Sequence, residues 1–102
     1  MDVIGKIFDG TLFINISGEL DEYSSQFVKN KLDMFFSSGK FKKVIVDLMD
    51  LSFMDSTGIG VLIGKYKVLR NKKIPIFITN PNNQIDKIFN MSGLYNIMPK
   101  IV

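Results

Sequence analysis

The chain has 102 residues, 46% hydrophobic and 23% charged, with 13 Lys and Arg against 10 Asp and Glu for a net charge of +3. This is ordinary globular composition for a single domain, expected over residues 1–102, and it leaves too little chain for a deep cleft between domains. The sequence lacks Cys and His, which removes disulfides, a thiolate nucleophile, the commonest general base and Cys or His metal ligands, so no cofactor and no metal site are expected.

Val3 to Phe8 and Thr11 to Ser17 flank Asp9-Gly10, a strong short-range hairpin signal. In the second run Leu12, Ile14 and Ile16 alternate with polar neighbours, which predicts one buried face. Phe13 interrupts the polar side and suggests cover on both faces. Gly18-Glu19-Leu20-Asp21 reads as a loop, with Asp21 or Ser24 available to cap the next helix. Tyr23, Phe27, Lys31 (by its stem), Leu32, Phe35 and Phe36 fall on one helical stripe, which Ser37-Ser38-Gly39 ends.

Val44-Ile45-Val46 is a short apolar run suited to a central strand. Leu48 to Ser56 reads as a connection into a second helix, whose stripe is Ile59, Leu62, Ile63, Tyr66 and Leu69. Lys65, Lys67, Arg70, Lys72 and Lys73 gather toward the end of that helix, where cations suit its dipole. Ile74 to Thr79 reads as a strand with Pro75 near its start, and Asn80-Pro81-Asn82-Asn83 as a turn opening a third helix. Ile85, Ile88 and Phe89 form the third stripe, Ser92-Gly93 ends it, and Leu94 packs back on the helix end. Ile97-Met98 could begin a last short strand. Strands alternating with helices predict an α/β fold with a mostly parallel sheet, made mixed by the opening hairpin, and three main helices.

No apolar run approaches the ~20 residues of a membrane span, and Met1 to Lys6 lacks a leader pattern, so a soluble, cytoplasmic protein with no membrane partner is expected. The basic cluster has no interleaved aromatic platform except Tyr66 on the apolar stripe, so it reads as a solvated helix end and no nucleic-acid partner is expected. Gly58, Gly60 and Gly64-Lys65 miss the spacing of a phosphate-binding loop and read instead as small residues that let the helix lie close on the sheet.

Asp55, Ser56 and Thr57 follow the connection after the central strand and open a helix, at the mouth where ligands and partners meet α/β sheets. All three are good caps, and a well-capped helix is the bland reading. A hydrolytic serine is disfavoured, since no His is present to activate Ser56 and no Lys lies nearby in sequence. No enzyme activity is expected.

The run Leu51-Ser52-Phe53-Met54-Asp55-Ser56-Thr57-Gly58-Ile59-Gly60 resembles the signature of the anti-sigma factor antagonists, the small single-domain STAS proteins, and most of all their sporulation-type members. Gly18 to Asp21, Val44 to Leu48 and Phe89 to Leu94 agree with further family segments in the right order, so the resemblance covers about Val3 to Pro99. It implies a STAS domain and a phosphoacceptor at Ser56, with Thr57 a weaker second. The implied partner is an anti-sigma factor that is also a serine kinase. It binds the unphosphorylated form and releases a sigma factor, and a metal-dependent PP2C-type serine phosphatase resets the switch. Asp21, Asp55, Ser56, Thr57, Gly58 and Gly60 are the implied partner-binding residues. Members of the family often continue into a further C-terminal helix, whereas this sequence stops at Val102, so an uncovered sheet face is expected. The rival reading is a constitutive STAS adaptor in a larger signalling or transport assembly, with Ser56 only a helix cap. A phosphoryl group at a helix start is expected to gain about 0.3–1 kcal/mol from free N–H groups and the dipole, so modification acts on binding and not on folding.

Overall fold

Asp9 and Gly10 both take left-handed backbone angles, φ 51° and 78°, which a two-residue hairpin turn of the type I′ kind demands. Strand β1 (Asp2–Phe8) therefore pairs antiparallel with β2 (Thr11–Leu20), Phe8 opposite Thr11 and Asp2 opposite Ser17. The computed structural model describes residues 1–101; Val102, the last residue of the expected domain, lies outside the described residues.

β2 runs to Leu20, so Gly18, Glu19 and Leu20 are strand and not the expected loop. The misleading residue is Gly18, whose φ of 105° favours glycine and at which the register shifts instead of ending. Along its length β2 serves two parallel partners. Thr11–Asn15 pair with β3 (Lys43–Asp47), and Gly18–Leu20 pair with β4 (Leu51–Met54). β4 lies within the stretch expected to be a bare connection. It buries Leu51 and Met54 at its two ends with two exposed residues between, so it lacks the alternation that marks a strand. β5 (Ile76–Thr79) lies beside β3 and gives the order β1-β2-β3-β5, with β4 on β2. Ile74 and Pro75 precede this strand, and the Pro75 carbonyl accepts from the Val44 N–H at 3.0 Å.

Helices α1 (Ser25–Ser37), α2 (Ser56–Asn71) and α3 (Asn83–Ser92) share one core with the strand residues Leu12, Ile14, Ile16, Val44, Val46, Ile76 and Ile78. Each such fully buried aliphatic side chain contributes about 1.5–3 kcal/mol by leaving water. On α1 the inward stripe is Val28, Leu32 and Phe36, with Phe35 half-buried. Tyr23 is 89% exposed and Phe27 43%, against expectation. Tyr23 precedes the helix, and Phe27 sits one residue, about 100° of helix rotation, from Val28. The opposite sheet face is open: Phe13 is 43% exposed, and Ile4 and Phe8 beside it are exposed, so cover on both faces is not found.

After α3, Gly93 turns left-handed, Leu94 packs into the core, and Leu94–Asn96 make a 3-10 turn where chain toward the short strand at Ile97-Met98 was expected. Met98 is buried, and Lys100 joins the sheet in a single parallel bridge to Ile78 among the described residues. Asp86 ties α3 to this segment, accepting from the Tyr95 hydroxyl at 2.5 Å and the Lys100 ammonium at 2.8 Å. The Lys100 hydrogen bond, and then that of Tyr95, hold the Asp86 carboxyl below the usual carboxylate range. Burial, and then the bond to Asp86, keep the Tyr95 phenol protonated above its ordinary range. A carboxyl depressed in the folded state stabilises the fold fully above its unfolded value of about 4, and that contribution fades as pH falls below it. Asp86→Asn is therefore expected to lower the urea midpoint at neutral pH, with the gap from the parent closing as the titration is taken into acid.

Candidate functional site

The register of β2 with β4 sets Leu20 opposite Met54, so the two chains leave the sheet side by side, one into α1 and the other into α2. Asp55 donates its N–H to the Leu20 carbonyl at 3.2 Å, which fastens the two exits together. This junction brings Asp21 and Asp55 to neighbouring positions.

At the α2 start the three candidate caps take different roles. Asp55 is extended, and its Oδ1 accepts from the N–H groups of Thr57 at 2.9 Å and Gly58 at 3.1 Å. Its carbonyl accepts from Ile59 at 3.1 Å. Asp55 is thus the cap, and Ser56 is the first helical residue, exposed, with its hydroxyl released from capping duty. Thr57 is exposed as well. Loss of the Asp55 carboxylate should cost about 1 kcal/mol of stability. Asp55→Ala is expected to show that loss in chemical denaturation, and Asp55→Asn to recover most of it.

Gly58 is buried, and a β carbon there would stand 2.8 Å from the Leu20 Cγ, the Leu20 carbonyl oxygen and the Met54 Cγ. The close approach expected of small residues is therefore real at Gly58, whose place is in the packing beneath the surface. At Gly60 and Gly64 a β carbon would meet nothing within 4 Å, so these two do not serve close packing. Gly60 is exposed on the helix, one turn beyond Ser56.

Asp21 organises the other exit. Its carboxylate accepts from the N–H groups of Tyr23 and Ser24, both at 3.0 Å, and its carbonyl from Ser25 at 2.9 Å. Ser24, the alternative cap, accepts instead from the Asp21 N–H at 3.1 Å and donates to the Glu19 carbonyl at 2.7 Å. An open pocket of about 590 Å³ lies here, lined by Gly18, Glu19, Asp21, Tyr23 and Phe27 among others.

Two residues of the site went unnoticed in the sequence. Asn82 donates to the carbonyls of Leu51 and Ser52 at 3.3 and 3.2 Å while capping α3, and Gln84 donates to the Met54 carbonyl at 3.2 Å. They hold β4, and through it Asp55 and Ser56, from the α3 side. The Asn80 to Asn83 turn signal was visible, but nothing local to it points at β4.

Asp2, Glu19, Asp21, Glu22, Asp47, Asp50 and Asp55 all lie at this end of the sheet, which is strongly acidic. Among the described residues no three carboxylates converge to hold a metal ion, and no helix is long and apolar enough to cross a membrane.

A hairpin-started mixed sheet with helices on one face, and a freed hydroxyl at a helix start beside the strand ends, defines a small α/β domain with its site on one rim. The chain belongs to the STAS domain family, whose profile matches residues 3–102. It is 34% identical to an anti-sigma F factor antagonist of Paenibacillus polymyxa over 88% of this chain and 77% of that protein. The fold resembles that of the anti-sigma factor antagonist SpoIIAA in its unphosphorylated form, with TM-score 0.76 and 26% identity over 99% of this chain and 89% of that one. It also resembles the Bacillus cell fate determinant SpoIIAA in the phosphorylated form, with TM-score 0.69 and 26% identity over 99% and 92% of the two chains.

Proposed function

We propose that this chain is an anti-sigma factor antagonist acting in the cytoplasm. Its unphosphorylated form binds an anti-sigma factor that is also a serine kinase and so releases a sigma factor. Phosphorylation of Ser56 ends the binding, and a PP2C-type serine phosphatase restores it. Relatives at about a third identity bear the antagonist name, and a similar chain exists in phosphorylated and unphosphorylated forms. The observation that carries the reading is the division of labour at α2: Asp55 caps the helix, which leaves the exposed Ser56 hydroxyl with no structural task. The rival reading, a constitutive adaptor with Ser56 only a helix cap, draws less support because the capping side chain is that of Asp55.

In the transfer, Ser56 Oγ bonds to the γ-phosphorus of ATP as the bond to the departing ADP breaks, and the hydroxyl proton leaves to a base on the kinase. This chain has no His to serve as that base. The product adds about −1.5 to −2 charge. The N–H groups of Thr57 and Gly58, expected to be free for a phosphoryl group, are already bound to Asp55, so the new anion finds fewer donors than an uncapped helix offers. It faces Asp55 and the acidic rim within the protein, and the ADP it has just left across the interface. Repulsion falls on the complex, and the fold is spared. On the same rim, the exposed Tyr23, Phe27 and Phe53 offer apolar contact area to the kinase. Asp21, Thr57 and Gly60 complete the contact surface, with Gly58 setting the helix height from below.

The test is incubation with a serine-kinase anti-sigma factor from the same genome and ATP, followed by mass spectrometry of peptides. A single phosphate on Ser56, removed by a PP2C-type phosphatase, is the expected result. Modification of another residue, or none, overturns the reading.

A further inference from the structure

The net charge of +3 conceals a separation of charge along the strands. The rim that carries Ser56 is acidic, and the opposite rim is basic. There Lys40, Lys42 and Lys43 lead into β3, and Arg70, Lys72 and Lys73 end α2 on the way to β5. Because β3 and β5 are parallel neighbours, with Val44 opposite Ile76, the two segments lie side by side. All six cations are exposed, and neither of the two ion pairs among the described residues, Lys65–Asp33 and Lys100–Asp86, involves any of them. The dipole of α2 accounts for cations at its own end but not for three more ahead of a strand.

Next to this cluster lies an open groove of about 390 Å³, with Tyr66, Arg70, Lys73, Pro75, Phe77 and Ile97 among its lining residues. Arg70 rests over the Tyr66 ring, 5.7 Å from its centroid. β5 is an edge strand bridged on its far side at Ile78, and the buried Ile76 lies beneath the floor of the groove. Lys73 adds an independent sign. Of the three non-glycine residues at positive φ it alone is neither Asp nor Asn, holding φ 59° just past the end of α2, where glycine or asparagine sits with less strain. A long cation kept in a strained position at the mouth of a groove suggests that its charge is used.

We propose that this groove is a second docking surface, separate from the Ser56 rim, for an acidic, extended segment of a protein partner that lays apolar side chains on Pro75, Phe77 and Ile97. Its carboxylates meet the cationic bank. The mixed floor of Pro75, Phe77 and Ile97 favours apolar side chains of a peptide over stacked bases, since Phe77 is half-buried and Arg70 already covers Tyr66. The groove also lies on the rim away from the kinase-facing surface, so both surfaces can be occupied at once.

The experiment is an amide NMR titration of the whole protein with a short synthetic peptide of alternating Glu and Leu. A single-stranded oligonucleotide and a neutral peptide with Gln in place of Glu run in parallel. Perturbations confined to Tyr66, Arg70 to Phe77, Asn96 and Ile97, absent with the Gln peptide, are expected. Lys72→Glu with Lys73→Glu should weaken binding about tenfold and reduce its salt dependence. Lys73→Gly should weaken binding while raising Tm by about 3–6 °C, since it relieves the strained backbone. Tighter binding of the oligonucleotide, equal response to the Gln peptide, or no groove perturbation at millimolar peptide overturns the proposal. None of these results depends on whether Ser56 is phosphorylated.

Discussion

Ser56→Asp is expected to weaken binding of the serine-kinase anti-sigma factor by about ten- to a hundredfold, full phosphorylation by about a hundred- to a thousandfold, and Ser56→Ala hardly at all. An uncompensated charge driven into an interface costs about 3–5 kcal/mol, and each 1.4 kcal/mol is a decade in affinity. The aspartate carries roughly half the charge of the phosphate, hence the smaller effect. Two features of the rim sharpen the expectation. Asp55 has already claimed the N–H groups of Thr57 and Gly58, and Asp21 stands at the neighbouring exit, so little on this side compensates a new anion. Circular dichroism and Tm of all three forms should stay close to the parent, which separates a binding effect from a folding one. Titration calorimetry with the kinase measures the affinities. A Ser56→Asp protein that binds like the parent contradicts the electrostatic account even if the phosphate maps to Ser56.

Gly58→Ala is expected to lower Tm by about 8–15 °C, whereas Gly60→Ala, two residues on, should raise it by a few degrees. Both substitutions add one methyl group to the same helix. At Gly58 that methyl meets the Leu20 carbonyl oxygen, part of the backbone, together with the Leu20 and Met54 side chains, all at 2.8 Å. The strand cannot retreat, because Leu20 accepts the Asp55 N–H from the very junction that would have to open. Overpacking of this kind costs about 1–3 kcal/mol. At Gly60 nothing stands within 4 Å, and the helix gains about 0.8–1 kcal/mol from losing a glycine. Differential scanning calorimetry on the pair decides the matter, and equal melting temperatures would refute the close packing of α2 on β2 and β4. The Gly58→Ala protein should also be a poorer kinase substrate, since the start of α2 is lifted from its seat.

The hairpin was legible because Asp9-Gly10 is a local signal with a local cause, and β3 because a short apolar run has few other uses. The α3 end was legible through Gly93 and Leu94 for the same reason. What the sequence hid was non-local. β4 is a strand only because the far half of β2 receives it, and β2 runs on through Gly18, where a loop was the obvious reading. On α1 the later part of the expected stripe, Leu32, Phe35 and Phe36, faces the core, while exposed Tyr23 and Phe27 imitate its beginning and Val28 takes that place. At the site, Asp55, Ser56 and Thr57 read as equal candidates for the cap, and geometry chose Asp55 among them. Asn82 and Gln84 were unreadable, because their partners are main-chain carbonyls some thirty residues away.

The division of β2 between three neighbours has a further consequence for amide exchange. Its first half is clamped between β1 and β3, so the protons of Leu12 and Ile14 should exchange only when the whole molecule unfolds. Beyond Gly18 the same strand is held by the short β4 ladder alone, and there exchange should proceed through partial openings that leave the first half closed. The rim that carries Ser56 can thus loosen and reseat itself against a visiting molecule while the base of the strand keeps the chain folded.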